Sequence, residues 1–211
     1  MGNVIHLNPA RVSGKVIEST ARIILRGGVI IYPTDTIYGI GCDAFNADTV
    51  KRIFELKGRT EDKPALVLVQ NRDMVRGLVT EISPTAQRLM AQFWPGPLTI
   101  LLPARENIHR LLKGGEGSIG VRMPDNRFCQ KLLARCRVPI VSTSANISGQ
   151  LPDRDTLRMR FLDNVDLFID AGELPPSLPS TVVDTSGKNV RIIRRGAIPG
   201  EEILKVINGR L

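Results

Sequence analysis

Two spacings of apolar residues recur along the chain, one typical of amphipathic helices and one typical of short buried strands. The strand-like runs stop at proline, glycine or polar turn residues. The spacing predicts helices over residues 12–26, from 46 or 48 to 57, from 84 to 94, from 126 past 133, and over 201–207. It predicts strands over residues 29–32, 37–42, 65–69, 98–102, 118–122, 140–142, 167–170, 182–184 and 190–194.

Individual side chains predict where these helices begin and which way they face. Asn46 or Asp48 is a suitable N-cap for the second helix, and Ser83 followed by a proline begins the third. Asp125 is the expected cap of the fourth helix. In the first helix the apolar stripe predicts five inward residues: Val16, Ile17, Ala21, Ile24 and Leu25.

Because helices and strands alternate throughout, the pattern predicts an α/β fold with helices covering a sheet. Short turns between some strands, such as residues 185–188, predict a mixed sheet in place of an all-parallel one. No repeat or long linker divides the chain, so we expect one domain over residues 1–211. The most loop-like stretch, residues 172–180, is either a lid or a simple connection.

Composition is that of a globular protein and excludes several classes. Of 211 residues, 42% are apolar and 24% charged, which excludes disordered, collagen-like and coiled-coil chains. No apolar run reaches the roughly 20 residues of a transmembrane helix, and no signal peptide is visible at the N-terminus. The three cysteines form no CxxC pair, so we expect neither a disulfide framework nor structural zinc. These features predict a cytoplasmic protein.

The charge balance favours acidic partners. The chain carries 29 basic and 21 acidic residues, a net charge of +8, and its pI is near 9.9. This excess is typical of proteins that bind nucleic acids, nucleotides or phosphorylated ligands, although a generally basic surface explains it equally well. Aromatic residues make up only 4% of the chain, which argues against a platform for stacked bases.

Familiar catalytic motifs are missing from the sequence, whereas polar clusters follow several predicted strands. There is no Walker A motif, no GxGxxG after a strand and no HExxH, and the two histidines, His6 and His109, stand alone. Serine–histidine catalysis is therefore disfavoured. Ligands of α/β sheets usually bind at strand ends, which draws attention to four segments: 33–39, 57–64, 117–124 and 142–149.

Each cluster has a structural alternative. The Thr34-Asp35-Thr36 segment could orient a polar ligand, but a turn closed by its own side chains explains it better. The cations of 57–64 suit phosphate oxygens or a solvated basic turn. The hydroxyls of 142–149 favour a ligand site over a capped turn. Arg122 ends an apolar strand and needs an anionic partner, either a ligand carboxylate or a protein Asp or Glu.

Seven segments, taken together and in order, resemble the YrdC-like family, whose characterised members are threonylcarbamoyl-AMP synthases. The family's signature is Lys-x-Arg with a distant Ser-x-Asn, here Lys57/Arg59 and Ser144/Asn146. The resemblance spans nearly the whole chain and implies the family's three-layer fold, a twisted mixed sheet flanked by helices, in its short form without an additional C-terminal domain. The segments are PTDTIYGIGCDAF (33–45), KGRTEDKP (57–64), FWPGPLTILLP (93–103), SIGVRMPDN (118–126), PIVSTSANISG (139–149), PSTVVD (179–184) and RRGAI (194–198).

The resemblance implies a nucleotidyltransferase reaction. L-Threonine, bicarbonate and ATP would give threonylcarbamoyl-AMP and pyrophosphate, with Mg²⁺ held mainly through the ATP phosphates and no metal ligand from the protein. Partner proteins of a threonylcarbamoyl-transferase complex would then modify the adenosine beside the anticodon of tRNA. The alternative is a module of the same fold that binds tRNA or double-stranded RNA without catalysis, which would be salt-sensitive and independent of ATP.

The resemblance also implies which side chains act. The residues implied for the nucleotide are Lys57, Arg59, Lys63, Ser118, Ser144, Asn146 and Arg194, with Lys57, Arg59, Ser144 and Asn146 as the catalytic set. Those implied for L-threonine are Thr34, Thr36, Arg122, Ser142 and Ser180, with Arg122 on the carboxylate. The sequence departs from the family at Leu68, where some members have a threonine-binding histidine, and over residues 148–156, for which no contacts are inferred.

Overall fold

The structure is a computed structural model that describes residues 3–60, 64–145, 161–187 and 189–209. Its strands are β1 (Asn3–His6), β2 (Ile30–Tyr32), β3 (Gly39–Gly41), β4 (Leu66–Leu68), β5 (Leu98–Pro103), β6 (Ser118–Arg122), β7 (Ile140–Ser144), β8 (Leu167–Asp170), β9 (Thr181–Asp184) and β10 (Arg191–Arg194). Its α-helices are α1 (Gly14–Leu25), α2 (Ala47–Lys57), α3 (Arg72–Arg76), α4 (Pro84–Phe93), α5 (Arg127–Cys136) and α6 (Gly200–Ile207). Single 3₁₀ turns lie at Arg110–Leu112, Gly115–Gly117 and Leu162–Asn164.

The strands form one mixed sheet in the order β1-β8-β2-β3-β7-β4-β6-β5-β9-β10. Parallel pairs (β1/β8, β2/β8, β4/β6 and β5/β9) alternate with antiparallel ones (β2/β3, β3/β7, β4/β7, β5/β6 and β9/β10). The predicted mixed sheet is confirmed, and the consecutive strands β9 and β10 pair in antiparallel fashion as expected.

Helices cover both faces of the sheet, as the alternating side chains of its strands require. In β2, Ile30 and Tyr32 pack into the apolar layer beneath α1 and α5, whereas Ile31 packs into the layer beneath α2 and α4. Burying apolar side chains stabilises the fold by roughly 25 cal/mol per Å² of apolar surface. The result is the predicted three-layer arrangement.

Short polar side chains begin most of the helices, largely where the sequence predicts. Asn46 caps α2 through the amide of Thr49, and Ser83 caps α4 through the amide of Ala86. Helix α2 ends at Gly58, whose φ of 57° lies in the left-handed region that glycine adopts without strain. Asn46 and Gly58 thus mark the two ends of α2, and Lys57 lies in its last turn.

Two details of the helix predictions are wrong. Asn126, not Asp125, caps α5, because its side-chain oxygen accepts the amide of Cys129. Leu25, expected to face inward, is 49% exposed at the C-terminal end of α1. Thr20 is buried instead and satisfies its hydroxyl by donating to the carbonyl of Val16.

Close backbone packing in the middle of the sheet depends on glycine. A Cβ added to Gly41 would lie 2.3 Å from the carbonyl oxygen of Val141, and one added to Gly39 would lie 2.9 Å from Ser142 Oγ. Because β3 carries no side chain at these two positions, it packs closely against β7. This leaves space beside β3 and β7 for a cavity.

No α-helix within the described ranges combines the length and apolarity needed to cross a bilayer.

Candidate active site

A cavity of about 290 Å³ opens where the central strands end and the loop after β2 folds over them. Its walls come from β3, β4, β5, β6, β7, β9 and β10 and from loops next to them. Eight residues that the sequence singled out line it: Thr34, Thr36, Arg59, Arg122, Ser142, Ser144, Ser180 and Arg194. All five residues predicted for L-threonine are therefore in one cavity with three predicted for the nucleotide.

The loop between β2 and β3 is held by its own hydroxyls. Thr34 Oγ1 accepts the amides of Thr36 and Ile37 at 3.1 and 3.2 Å and donates to the carbonyl of Ile37 at 2.7 Å. The hydroxyls of Thr34 and Thr36 lie 3.1 Å apart. The turn expected from sequence is thus present, and it lies in the cavity wall.

Arg122 lies at the end of β6 with its side chain only 5% exposed. Its Nε donates to the carbonyl of Gly96 at 3.1 Å, and its Nη1 donates to Thr36 Oγ1 at 3.1 Å. Its Nη2 lies 2.7 Å from Asp35 Oδ1, an ion pair in which no N–H is aligned as a hydrogen bond. Asp35 is thus the protein carboxylate that one alternative named, and because Arg122 also lines the cavity, a ligand carboxylate stays a prediction.

The signature cations of α2 reach the end of β7. Lys57 Nζ donates to the carbonyl of Ser144 and, at 3.2 Å, to Thr143 Oγ1. Arg59 Nη1 donates to the same Thr143 hydroxyl at 3.1 Å, and its Nη2 donates to the carbonyl of Pro64 at 2.8 Å. The arrangement gathers two positive charges beside the last residues of β7.

Ser180 and Arg194 form the opposite wall. Arg194 donates to the carbonyl of Ser180 through Nε at 3.1 Å and Nη2 at 2.9 Å, and Nη2 also donates to Ser180 Oγ at 3.0 Å. Burial and, secondarily, the positive charge of Arg122 lower the pKa of Arg194. Two guanidiniums therefore face the same enclosed space, which favours an anionic ligand.

The segment over residues 172–180 is bonded to the threonine-rich loop. Ser177 donates its hydroxyl hydrogen to the carbonyl of Thr36. Tyr38 donates from Oη to the carbonyl of Gly172 at 2.8 Å and accepts the amide of Ala171 at 2.9 Å. The segment has no regular secondary structure, and these bonds hold it beside the cavity.

Of the predicted site residues that the structure describes, Lys57 and Ser118 do not line the cavity. Lys57 donates to Thr143 and Ser144 at the end of β7, and Ser118, which is buried, donates to the carbonyl of Gly115 at 3.1 Å. Lys63 and Asn146 lie outside the described residues.

Sequence reasoning assigned no role to three polar residues of the cavity, Tyr38, Thr99 and Thr143. Thr99 is 2% exposed and its Oγ1 lies 2.8 Å from Ser180 Oγ. The available signal was a hydroxyl residue within the otherwise apolar run of residues 98–102. Tyr38 combines a polar tip with a ring that packs edge-on against Phe168 at 5.7 Å.

The donor set suits anions better than a resident metal. Cations and hydroxyls dominate the predicted residues of the cavity, and no cluster of three His, Cys, Asp or Glu side chains able to hold a metal exists in the described ranges. The thiols are also poor nucleophiles here, because burial raises the pKa of Cys42 to about 12 and that of Cys129 higher still.

Comparison with known proteins identifies the family of the chain. A family model named Sua5_yciO_yrdC, described as Telomere recombination, matches residues 22–196. The threonylcarbamoyl-AMP synthase of Pyrococcus abyssi is 37% identical over 193 residues, which are 90% of this chain and 57% of that protein. The threonylcarbamoyl-AMP synthase of Thiobacillus denitrificans is 35% identical over 168 residues, 79% of this chain and 89% of that protein.

A solved structure matches over almost the whole chain. The crystal structure of P. abyssi Sua5 complexed with L-threonine has a TM-score of 0.89 and 35% identity, and the match covers 98% of this chain and 61% of that one. The chain thus spans about three fifths of the length of the P. abyssi protein. With the family model and these relatives covering most of its length, the chain belongs to the Sua5/YciO/YrdC family.

Proposed function

We propose that this chain is a threonylcarbamoyl-AMP synthase, which condenses L-threonine, bicarbonate and ATP into threonylcarbamoyl-AMP and pyrophosphate. The observation that carries the proposal is the gathering of eight predicted residues in one cavity, with the buried Arg122 in its wall. The names of the relatives support the same reaction. The alternative of a purely RNA-binding module has no comparable support.

Arg122 would bind the carboxylate of L-threonine. The guanidinium is oriented by Gly96 and Thr36, so it loses little freedom when a ligand arrives. Its Nη2 is engaged by Asp35 at 2.7 Å, and its Nη1, which donates one hydrogen to Thr36, has a second hydrogen for a carboxylate oxygen. Ser142, Ser180 and the loop over residues 34–36 would shape the rest of the threonine pocket.

Lys57, Arg59 and Arg194 would stabilise the phosphates. Phosphoryl transfer depends mostly on positioning and on cations that neutralise the charge shared by the phosphate oxygens. Lys57 and Arg59 now donate to Thr143 and to carbonyl groups, bonds that an anionic phosphate would exchange for stronger ones. Ser144, Ser118, Lys63 and Asn146 complete the set proposed for the nucleotide.

The chemistry requires no covalent enzyme intermediate. The α-ammonium of threonine loses a proton, and the amine attacks the carbon of bicarbonate, forming an N–C bond as one water leaves. An oxygen of the resulting carbamate attacks the α-phosphorus of ATP, and the bond to the β-phosphate oxygen breaks as pyrophosphate departs. The protein's part is to align these groups and hold their charges, which its fixed cations and hydroxyls suit.

Mg²⁺ would enter with ATP. The described residues that line the cavity offer cations and hydroxyls but no carboxylate, and the nearby Asp35 is engaged by Arg122, so they do not form a magnesium site of their own. When bound, the ion would neutralise phosphate charge. We propose that the product passes, in the cytoplasm, to a transferase complex that modifies tRNA.

Pyrophosphate release by the purified protein tests the proposal. The assay contains ATP, Mg²⁺ and bicarbonate, with and without L-threonine, and Lys57→Ala and Ser144→Ala as variants. We expect release that requires both threonine and bicarbonate and falls strongly in both variants. Threonine-independent release, or none from a folded protein that binds tRNA, would refute the synthase assignment.

A further inference from the structure

Beside Ser180, which is proposed to shape the threonine pocket, lies a second buried hydroxyl, that of Thr99, which has no role in the function proposed above. Thr99 Oγ1 and Ser180 Oγ lie 2.8 Å apart, and each residue is 2% exposed. Thr99 comes from β5, whereas Ser180 immediately precedes β9, which pairs with β5 in parallel. Both residues line the cavity. Their contact is therefore fixed by two strands and sheltered from bulk water.

Arg194 favours one direction of the bond between the two hydroxyls, either of which could be the donor. A guanidinium only donates, so Ser180 Oγ is the acceptor in its 3.0 Å bond from Arg194 Nη2. A hydroxyl that accepts from a cation becomes a stronger donor, because hydrogen bonds in a chain polarise one another. Polarisation therefore favours Ser180 as the donor to Thr99, and on this assignment the chain runs from Arg194 through Ser180 to Thr99.

On this assignment the hydroxyl hydrogen of Thr99 is left without an acceptor among the described residues. Thr99 Oγ1 accepts from Ser180, and within the described ranges its own hydrogen meets no other acceptor. The hydroxyls of the neighbouring loop differ in this respect, since Thr34 donates to the carbonyl of Ile37 and the hydroxyl of Thr36 lies 3.1 Å from that of Thr34. The Thr99 hydrogen is thus available to a ligand.

This donor lies next to Arg122. Strands β5 and β6 are antiparallel with Ile100 opposite Val121, so the next residue on each strand is Thr99 and Arg122, and both line the cavity. Side chains opposite each other on neighbouring strands lie on one face, about 5 Å apart at Cβ. A donor polarised by one guanidinium and adjacent to another favours a negatively charged oxygen.

We infer that Thr99 is a substrate-binding residue: it ends the Arg194–Ser180–Thr99 chain and donates to a carboxylate-type oxygen of a small substrate. Two sources carry that chemistry, the carboxylate of L-threonine and the carboxylate that bicarbonate contributes to the carbamate. The inference rests on the proposed function. It states that Thr99 binds a carboxylate-type oxygen of the substrates and not a phosphate oxygen of ATP.

Steady-state kinetics of Thr99→Val test the inference. Valine keeps the shape of threonine and removes the hydroxyl, so we expect the KM of threonine or of bicarbonate to rise roughly tenfold, the effect of losing one hydrogen bond to a charged group. The KM of ATP should stay within about twofold. Thr99→Ser restores a hydroxyl and should reverse most of the rise. Thr20→Val removes a buried hydroxyl in α1, far from the cavity, and serves as the matched control.

The measured pattern identifies the oxygen. A rise confined to threonine assigns the donor to the α-carboxylate, and a rise confined to bicarbonate assigns it to the carbamate; both support the inference. Unchanged KM values, or a rise confined to ATP, overturn it. So does a reduced preference of Thr99→Val for threonine over L-2-aminobutyrate, which would place the donor on the side-chain hydroxyl of the substrate.

Two further measurements keep the test decisive. If Thr99→Val loses its cooperative thermal unfolding, Ser180→Ala interrupts the chain at its middle and should raise the same KM. A wild-type protein that releases no threonine-dependent pyrophosphate refutes the proposed function. An active wild type with normal kinetics in both folded variants refutes only the inference about Thr99.

Discussion

Arg122 and Asp35 form an ion pair inside the protein, with Arg122 Nη2 2.7 Å from Asp35 Oδ1 and side chains 5% and 11% exposed. The second carboxylate oxygen of Asp35 accepts the amide of Asp125 at 3.2 Å, which anchors the pair to the segment before α5. The guanidinium is thus neutralised on the side of Asp35 and still reaches the cavity. The buried charge of Arg122 therefore has a counter-ion even when no threonine is bound.

Replacing Arg122 by alanine should weaken threonine binding selectively. The guanidinium is proposed to bind the substrate carboxylate, and a hydrogen bond to a charged group contributes about 1.5–3 kcal/mol. We therefore expect the KM of threonine to rise at least about tenfold and that of ATP to change little. Arg135→Ala, which removes a surface ion pair with Glu18, is the control. If Arg122→Ala leaves both KM values unchanged, the carboxylate assignment is wrong.

Replacing Asp35 by asparagine should make stability depend on threonine. The change keeps the volume and leaves the Arg122 guanidinium buried without its anion, which we expect to cost about 3 kcal/mol. Bound threonine would supply a new carboxylate, so it should raise the Tm of Asp35→Asn more than that of the wild type. Asp73→Asn removes an exposed ion pair and provides the comparison in the same thermal scans. Equal shifts in all three proteins would contradict the prediction.

Replacing Gly39 by alanine should disturb the threonine pocket through Ser142. The new Cβ would lie 2.9 Å from Ser142 Oγ and 3.4 Å from the Tyr32 ring, so Ser142 must move. We expect a loss of roughly 1–3 kcal/mol in the free energy of unfolding and a higher KM for threonine. Gly14→Ala is the matched control, because a Cβ there meets nothing within 4 Å. Urea unfolding and threonine kinetics measure the two effects, and a wild-type KM in Gly39→Ala would refute the coupling.

Stability should fall at alkaline pH because buried thiols resist ionisation. Burial raises the pKa of Cys42 and Cys136 from 9.0 to about 12, and it raises that of Tyr32 as well. Below pH 9 the thiols are protonated in both states, so this contribution is fully present. Between pH 9 and 12 the unfolded thiols ionise first, which favours unfolding. Urea denaturation at pH 8 and pH 10.5 measures the loss of stability. A Cys42→Ala/Cys136→Ala variant should lose less, and an equal loss in that variant would exclude these two thiols as its source.

Most elements of the fold could be predicted because their sequence signals are local. Caps such as Asn46 and Ser83 and the period of apolar residues identify α2 and α4 directly. Strand β1 and helix α3 could not be predicted. The four residues of β1 lie at the sheet edge with no alternation of burial, and the five residues of α3 are too few to establish a helical period.

The residues of the candidate site could likewise be predicted only where their sequence signals are local. Clusters such as Thr34-Asp35-Thr36 are visible in the sequence because polar residues interrupt apolar runs there. Thr99 was not assigned a role, since its partner Ser180 is 81 residues away and only the pairing of β5 with β9 joins them. The partner of Arg122 was also beyond the sequence, because an Asp, a Glu or a ligand would satisfy a buried guanidinium equally well.

The sheet order also determines when the cavity can form during synthesis of the chain. Thr36 and Ser177, which are joined by a hydrogen bond, are 141 residues apart in the sequence. Thr99 and its partner Ser180 are 81 residues apart. Contacts so distant in sequence form slowly, because a long loop must close before any bond compensates its lost entropy. A ribosome-bound chain therefore holds an unfinished pocket until Arg194 has emerged, and substrates can assist only the last step of assembly.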